Sequence, residues 1–170
     1  MSLKIIHTAD WHLGQTFFGY DRDEEHEAFL SWLIDILTLR QTDVLLIAGD
    51  VFDVANPSAA AQRRFFRFLR EANRHNPQLQ IVIIAGNHDS AARLEAPIPL
   101  LEELNTSIVG VVPRTDLCKI DFDSLLIPLY NKEGKREAIC LAVPYLRQGD
   151  YPASKEGKDT YVEGVTRMYR

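Results

Sequence analysis

The sequence predicts an α/β fold built on a parallel sheet, with metal-ligand chemistry gathered at the strand ends. Three observations predict it. Three short apolar runs rich in β-branched residues, Ile5–Ala9, Val44–Ala48 and Ile81–Ala85, have the length and composition of strands buried on both faces of a parallel sheet. Amphipathic helical stretches separate them, as crossovers between parallel strands require. Each run stops at a cluster of ligand-type residues: Asp10-Trp11-His12, Gly49-Asp50-Val51-Phe52-Asp53 and Gly86-Asn87-His88-Asp89. Ligands at the ends of neighbouring parallel strands converge on one crevice, where open α/β sheets place their sites.

The elements follow in order. Asp21-Arg22-Asp23-Glu24 reads as a capping box, with Asp21 as N-cap and Glu24 reaching back. The helix behind it carries Phe29, Trp32, Leu33, Ile36 and Leu37 on one face and ends near Arg40. The second strand begins at Asp43 or Val44. Asn56-Pro57-Ser58 opens a second helix that runs to about His75, with Ala61, Phe65, Phe68, Leu69 and Ala72 on its apolar face. Arg63, Arg67, Arg70 and Arg74 fall on the opposite face. Asn76-Pro77 ends that helix, and the third strand follows. Ser90 to Asn105 reads as helical, interrupted by Pro97 and Pro99. Ser107 to Val112 is a further strand. Leu117 to Tyr145 holds more strands, separated by turns at 121–124 and 131–135. Gln148 to Lys158 reads as loop, and a last helix begins near Asp159.

The 170 residues, 46% hydrophobic and 25% charged, fit one soluble domain with a sizeable core, spanning 1–170. A net charge of -5 supplies no global basic field, although a local basic patch suffices for nucleic acid. Cys118 and Cys140 are too few for a disulfide framework and read as reduced thiols of a cytoplasmic protein. No leader pattern is expected at the N-terminus, and no apolar run is long enough to span a bilayer, so no membrane association is expected.

The residue types in the three clusters suit divalent metals. Asp10 and His12 are two apart, so on an extended segment they point to one side and can take one ion together. A mixed N/O set favours manganese, iron or zinc over calcium. Asp50 has two oxygens and can bridge a pair of ions, and Asn87 offers a neutral amide oxygen to the second. Two such ions about 3.5–4 Å apart clamp the oxygens of an in-line displacement at phosphorus. His88, beside the ions, can stabilise charge on a phosphate or protonate a leaving oxygen. Asp53 and Asp89 are placed to orient His88 or a ligand by hydrogen bonding.

Asp10-x-His12, Gly49-Asp50-x-x-Asp53 and Gly86-Asn87-His88-Asp89 resemble the first three motifs of the calcineurin-like metallophosphoesterases. The flanking words Ala9–Gly14, Ile47–Asp53 and Ala142-Val143-Pro144-Tyr145-Leu146-Arg147 are similar to those of the SbcD-type nuclease subunits within that superfamily. The resemblance covers nearly all of the chain. It implies a four-layered α/β/β/α sandwich, incomplete at its C-terminus, holding two divalent ions, usually Mn2+. It implies that Asp10 and His12 bind the first metal, that Asp50 bridges, that Asn87 binds the second, and that His88 acts at the scissile phosphate. It implies an exonuclease or endonuclease acting on DNA ends and hairpins in repair and recombination with an SbcC-type, SMC-like ATPase. It also implies a homodimer formed through the helices after strands two and three. The later Gly-His and Gly-His-x-His motifs are not found: His7, His12, His26, His75 and His88 all lie in the first half. The expectation is therefore an N-terminal part of a nuclease domain, with weakened metal binding and little activity alone.

Other readings compete at each point. A nucleotide-binding sheet explains the strands but not Asp-x-His, and no Gly-x-Gly-x-x-Gly follows the first strand. His7 reads as core, His26 as packing and His75 as a helix-end residue. The arginine row reads as a solvated face ahead of a phosphate-binding one. Phe17, Phe18 and Tyr20 are expected to pack on the core, with DNA or intersubunit contact the alternative. Phe66, Leu100, Leu101 and Leu104 pose the same choice between core and intersubunit contact. A phosphomonoesterase and a non-catalytic dimerising scaffold remain the alternative functions.

Overall fold

A computed structural model describes residues 2–101, 104–117, 119–152 and 160–170. Cys118, residues 153–159 of the expected final loop and helix start, and the side chain of Leu100 lie outside what is described. The elements are β1 (Ile5–Thr8), β2 (Thr16–Phe17), β3 (Tyr20–Asp21), α1 (Asp23–Leu39), β4 (Val44–Ala48), α2 (Ala59–His75), β5 (Gln80–Ile84), α3 (Ala91–Glu95), α4 (Ile98–Leu101) and β6 (Thr106–Val109), then β7 (Leu126–Tyr130), β8 (Arg136–Leu141) and α5 (Tyr161–Met168).

Four strands pair in parallel in the order β1-β4-β5-β6, with Ile5 opposite Val44, Val44 opposite Gln80 and Ile81 opposite Thr106. The crossover helices share one face of this sheet. Leu30, Leu33 and Leu37 of α1, Phe65, Phe68 and Leu69 of α2, Leu94 of α3 and Leu101 of α4 form one cluster with Leu45, Ile47, Ile81, Ile83 and Ile108. On the other face, Val44, Val82 and Val109 share a cluster with Leu125, Leu129, Ala142, Val143 and Met168, so the β7–β8 ladder lies on that side. Helix α5 joins it through the 146–152 segment, with the Tyr161 hydroxyl donating to Leu146 O and Arg167 to Pro152 O. Strand residues therefore alternate between a helical layer and a second β layer, which is why β4 and β5 read as continuous apolar runs.

The first strand departs from that expectation. β1 lies at the sheet edge with half of its residues exposed, Ile5 at 44%, and His7 is exposed rather than core. An edge strand has a neighbour on one side only, so composition overstated its burial.

Helix α1 begins one step later than the capping-box reading. Its N-cap is Arg22, which makes no side-chain cap bond, while Asp21 pairs with Thr16 in the β2–β3 ladder and its carboxylate accepts from the Asp23 N–H at 3.2 Å. The buried stripe is His26, Leu30, Leu33 and Leu37, and Trp32 is 55% exposed, lying beside Phe29 at 6.2 Å. The apolar arc of this helix is wider than the face the sheet covers. Helix α2 matches its expected limits: the Ser58 hydroxyl accepts from the Ala61 N–H at 3.1 Å, and the five apolar-face residues are buried. In the arginine row, Arg67 pairs with Glu27, and Arg70 and Arg74 with Glu71 at 3.1 and 2.6 Å, as a solvated face does. Arg64, outside that row, is buried and ties α2 to α1 through Asp23 at 2.8 Å and Glu27 at 2.9 Å.

Phe17, Phe18 and Tyr20 do not pack on the core; they project from the β2–β3 hairpin at 63%, 87% and 78% exposure. Phe18 and Gly19 form its two-residue turn at φ 49° and 83°. For a phenylalanine that left-handed conformation costs about 1–2 kcal/mol. Phe66 and Leu104 are partly buried against the core and Leu101 is buried in it. Cys140 is a half-buried free thiol whose pKa burial pushes up. Among the described residues, no helix is long and apolar enough to cross a membrane.

His26 is 5% exposed, and neither ring nitrogen has a hydrogen-bond partner. Burial, and then the charges of Arg22 and Arg64, hold its pKa below the ordinary value of 6.5. The folded state thus keeps it neutral while the unfolded chain takes up a proton below about pH 6.5. Its contribution to stability is complete above that pH and falls as acid protonates the unfolded state. A series of thermal melts from pH 7.5 to 5 should show a wild-type midpoint that drops more steeply below pH 6.5 than that of His26→Phe. Parallel curves would refute the assignment.

Candidate metal centre

The site is assembled where β1, β4 and β5 end. Past the strands, the first two segments stay laced in parallel: the Asp10 N–H donates to Gly49 O at 3.1 Å, His12 N–H to Asp50 O at 2.9 Å and Leu13 N–H to Val51 O at 2.9 Å. Trp11, between the two expected ligands of the first motif, is the anchor. It is 5% exposed, packs edge-on against Phe29, Phe65 and Phe68, and donates its indole N–H to the Thr8 hydroxyl at 3.0 Å.

Asp10 and His12 are not on an extended segment, contrary to the expectation. Asp10, His12 and Asp50 all adopt left-handed backbone, with φ of 56°, 47° and 49°. Non-glycine residues rarely hold that conformation, and it clusters where surrounding structure over-determines a functional geometry. The result still brings the side chains together: His12 Nε2 lies 3.9 Å from Asp10 Oδ1 and 4.0 Å from Asp50 Oδ2.

Asp50 is 8% exposed and held at one end only. Its Oδ1 accepts the His88 N–H at 2.9 Å, leaving Oδ2 turned toward His12. The close passage of the β4 and β5 loops demands glycine at 86: a Cβ there would lie 2.0 Å from Asp50 Oδ1 and 2.3 Å from Asp50 N. Asp89, 1% exposed, clamps the same two loops, accepting from Val51 N–H (3.2 Å), Phe52 N–H (3.0 Å) and Gly86 N–H (2.9 Å).

Around His12 a second set forms. Its Nδ1 is buried 3.3 Å from Asp53 Oδ1 without making a hydrogen bond, and its ring meets that of His88 edge-on at 5.0 Å. His88 Nδ1 lies 2.8 Å from the Asp53 carbonyl. A carbonyl only accepts, so Nδ1 carries the proton and Nε2 is left to the open side. That hydrogen bond, followed by the charges of Asp50, Asp53 and Asp89, raises the His88 pKa above its ordinary value.

Among the described residues, two groups of donors lie within ion-binding reach, each with all its ligand atoms within 4.8 Å of one another: Asp10, His12 and Asp50, and His12, Asp53 and His88. The donors fit a divalent ion: they mix imidazole nitrogen with carboxylate oxygen, and they concentrate like charge that a bound cation would offset. Asn87 is exposed and lines a cavity of about 290 Å³ with Asp10, Asp50 and Tyr145. The structure thus brings Asp10, His12, Asp50, Asp53, Asn87, His88 and Asp89 to one rim.

Three further residues belong to this rim. Tyr145 hangs beside Asn87 on a backbone bond from its N–H to Ala85 O at 2.8 Å, and Arg147 donates to Asp89 O at 3.5 Å. Tyr145 and Arg147 belong to the run 142–147 that shares in the family resemblance, but nothing local tied that run to strand β5. Gln15 donates to Asp53 Oδ1 at 3.2 Å, and a lone glutamine after the first cluster carries no signal of that contact.

Residues 3–155 match the calcineurin-like phosphoesterase family. Among characterised proteins, the chain is 48% identical over 163 residues to the SbcD subunit of the SbcCD nuclease from Rhodobacter capsulatus, covering 96% of this chain and 40% of that protein. It is 35% identical over 158 residues to the SbcD protein of Escherichia coli K12 (91% and 36%) and 39% identical over 122 residues to that of Bacillus subtilis 168 (72% and 31%). The chain spans at most about two-fifths of the length of these relatives.

Proposed function

Because this chain belongs to the calcineurin-like phosphoesterase family, we propose that its strand-end rim is the metal site of a DNA phosphodiesterase of the SbcD kind. In this reading Asp10 and His12 would hold one divalent cation, Asn87 would hold a second, and Asp50 would serve both, with manganese as the metal to try first. The convergence of Asp10, His12 and Asp50 on one point at the strand ends carries the reading. Bound there, the two ions would supply an activated water and draw charge off the phosphate.

The protein groups do the rest. The Asp50 oxygen anchored by the His88 N–H fixes the direction of the free one. His88, with Nδ1–H on the Asp53 carbonyl, directs Nε2 to the phosphate, where a charged ring stabilises oxygen or passes a proton to the leaving group. Asp53 orients His88 through its carbonyl, and Asp89 holds the two loops in register. The likeness to SbcD supports DNA as substrate, an SMC-like ATPase as partner, a role in repair and recombination in the cytoplasm, and a homodimer through α2 and the α3–α4 segment. Four side chains underfill two ions of five or six positions each, so this chain alone should bind metal weakly and turn over slowly.

Calorimetric titration with manganese tests the core of this. Heat of binding is expected for the wild type and none for Asp50→Ala. Manganese-dependent hydrolysis should favour a chromogenic phosphodiester over a phosphomonoester. A wild type that gives no heat would leave only a scaffold, and preference for the monoester would leave a phosphatase.

A further inference from the structure

The β2–β3 hairpin spends free energy that a turn does not require. Its tip holds Phe18 in left-handed backbone at φ 49° and 87% exposed, where Asn-Gly would close the same turn without strain or apolar exposure. Phe17 and Tyr20, paired across the hairpin, add two more exposed rings, and Phe17 meets Phe18 edge-on at 4.6 Å. Strain and exposure kept together point to something that binds there.

The stem is rooted in the metal rim. Gln15 N–H donates to His12 O at 3.0 Å, its side chain donates to Asp53 at 3.2 Å and accepts from Arg22 at 2.6 Å. Phe18 follows His12 by six residues and so lies within about 20 Å of it, the reach of a few nucleotides. Between root and rim is a cavity of about 310 Å³ whose polar lining includes Asp10, His12, Gln15, Arg22, Glu25 and His26, with Trp11 and Phe29 among its apolar walls. His26, 5% exposed, forms part of its wall, with both ring nitrogens buried and without a hydrogen-bond partner. The surroundings are not basic: Asp21, Glu24 and Glu25 flank the hairpin, and Arg22 is paired with Glu25 at 2.6 Å. Such a setting repels phosphates and suits the uncharged face of a base.

We propose that the hairpin is a stacking platform for unpaired nucleobases of a DNA strand whose phosphodiester lies at the metal rim, with the cavity beside His26 and Arg22 taking the uncharged base, not the phosphate, of the nucleotide between. The proposal rests on the DNA reading above. Base stacking on aromatic rings tolerates any sequence and adds affinity base by base, whereas phosphate contacts set the salt dependence.

The test is binding of a phosphorothioate-linked single strand carrying 2-aminopurine, with manganese and with chelator. The wild type should quench the 2-aminopurine. Phe18→Ala and Tyr20→Ala should each weaken affinity about tenfold with the slope against salt unchanged, and Phe18→Tyr should restore it. No binding by the wild type, or affinities within twofold across the variants, overturns the platform. So does a fall in sedimenting mass of the variants with DNA affinity unmoved, which would make the hairpin a contact between copies of the chain. Manganese calorimetry on the wild type reads the metal assignment separately. Quenching lost in Phe18→Ala without manganese heat keeps the platform and removes the metal site; manganese heat with unmoved affinity does the reverse.

Discussion

Gly86→Ala is expected to cripple metal binding while leaving the ligand set chemically intact. The added methyl would sit 2.0 Å from Asp50 Oδ1 and 2.3 Å from Asp50 N. Backbone cannot yield by that much without the β4 and β5 loops parting, and the side chain cannot swing without losing its bond from the His88 N–H. Overpacking of this kind costs about 1–3 kcal/mol. Displacing a group that positions ligands costs about 10–100-fold in metal affinity. Calorimetry with manganese, paired with a thermal melt in chelator, separates the two effects. A Gly86→Ala protein that binds manganese as tightly as the wild type would mean that Asp50 is not held where the ions need it.

The second large effect is at Asp89. Its carboxylate is 1% exposed and satisfies three backbone donors from two loops, Val51, Phe52 and Gly86. Truncation to alanine leaves all three donors buried without an acceptor, at about 1–3 kcal/mol each before relaxation, so a net loss of about 3–5 kcal/mol is expected. Asp89→Asn should fall between, since its amide keeps one acceptor and turns a donor toward the same N–H groups. Urea unfolding gives the magnitude. Hydrogen exchange at Val51, Phe52 and Gly86 gives the location, with protection lost there first. A change confined to the β7–β8 ladder, or a loss under about 1 kcal/mol, would show that the loops are held by something else.

The parallel strands, the limits of α2 and the ligand-type residues of the three strand-end clusters were legible in the chain, whereas Gln15, Tyr145 and Arg147 were not placed at the rim. Each depends on neighbours within a few positions. The period of Ala61, Phe65, Phe68, Leu69 and Ala72 marks one face of a helix wherever the helix lies. A ligand that directly follows an apolar run must sit at a strand end. Where reasoning of this kind failed, a contact distant in sequence had taken over. Asp21 was drawn into a ladder with Thr16 and so did not cap α1. His7 fell on an edge strand whose composition matches that of central ones. The exposed rings of Phe17, Phe18 and Tyr20 carry the same residue types that a core would.

What the sequence determined by itself is that the side chains of the three strand-end clusters reach the crevice, because chain connectivity and strand periodicity leave them nowhere else to go. Only the tertiary structure decided how they are held there. The left-handed backbone at Asp10, His12 and Asp50, the glycine demanded at 86, the clamp of Asp89 on residues 37 and 38 positions away and the arrival of Tyr145 beside Asn87 all arise from loops of separate strands pressing together. Such constraints act between segments far apart in the chain, and the period of any one segment carries no trace of them.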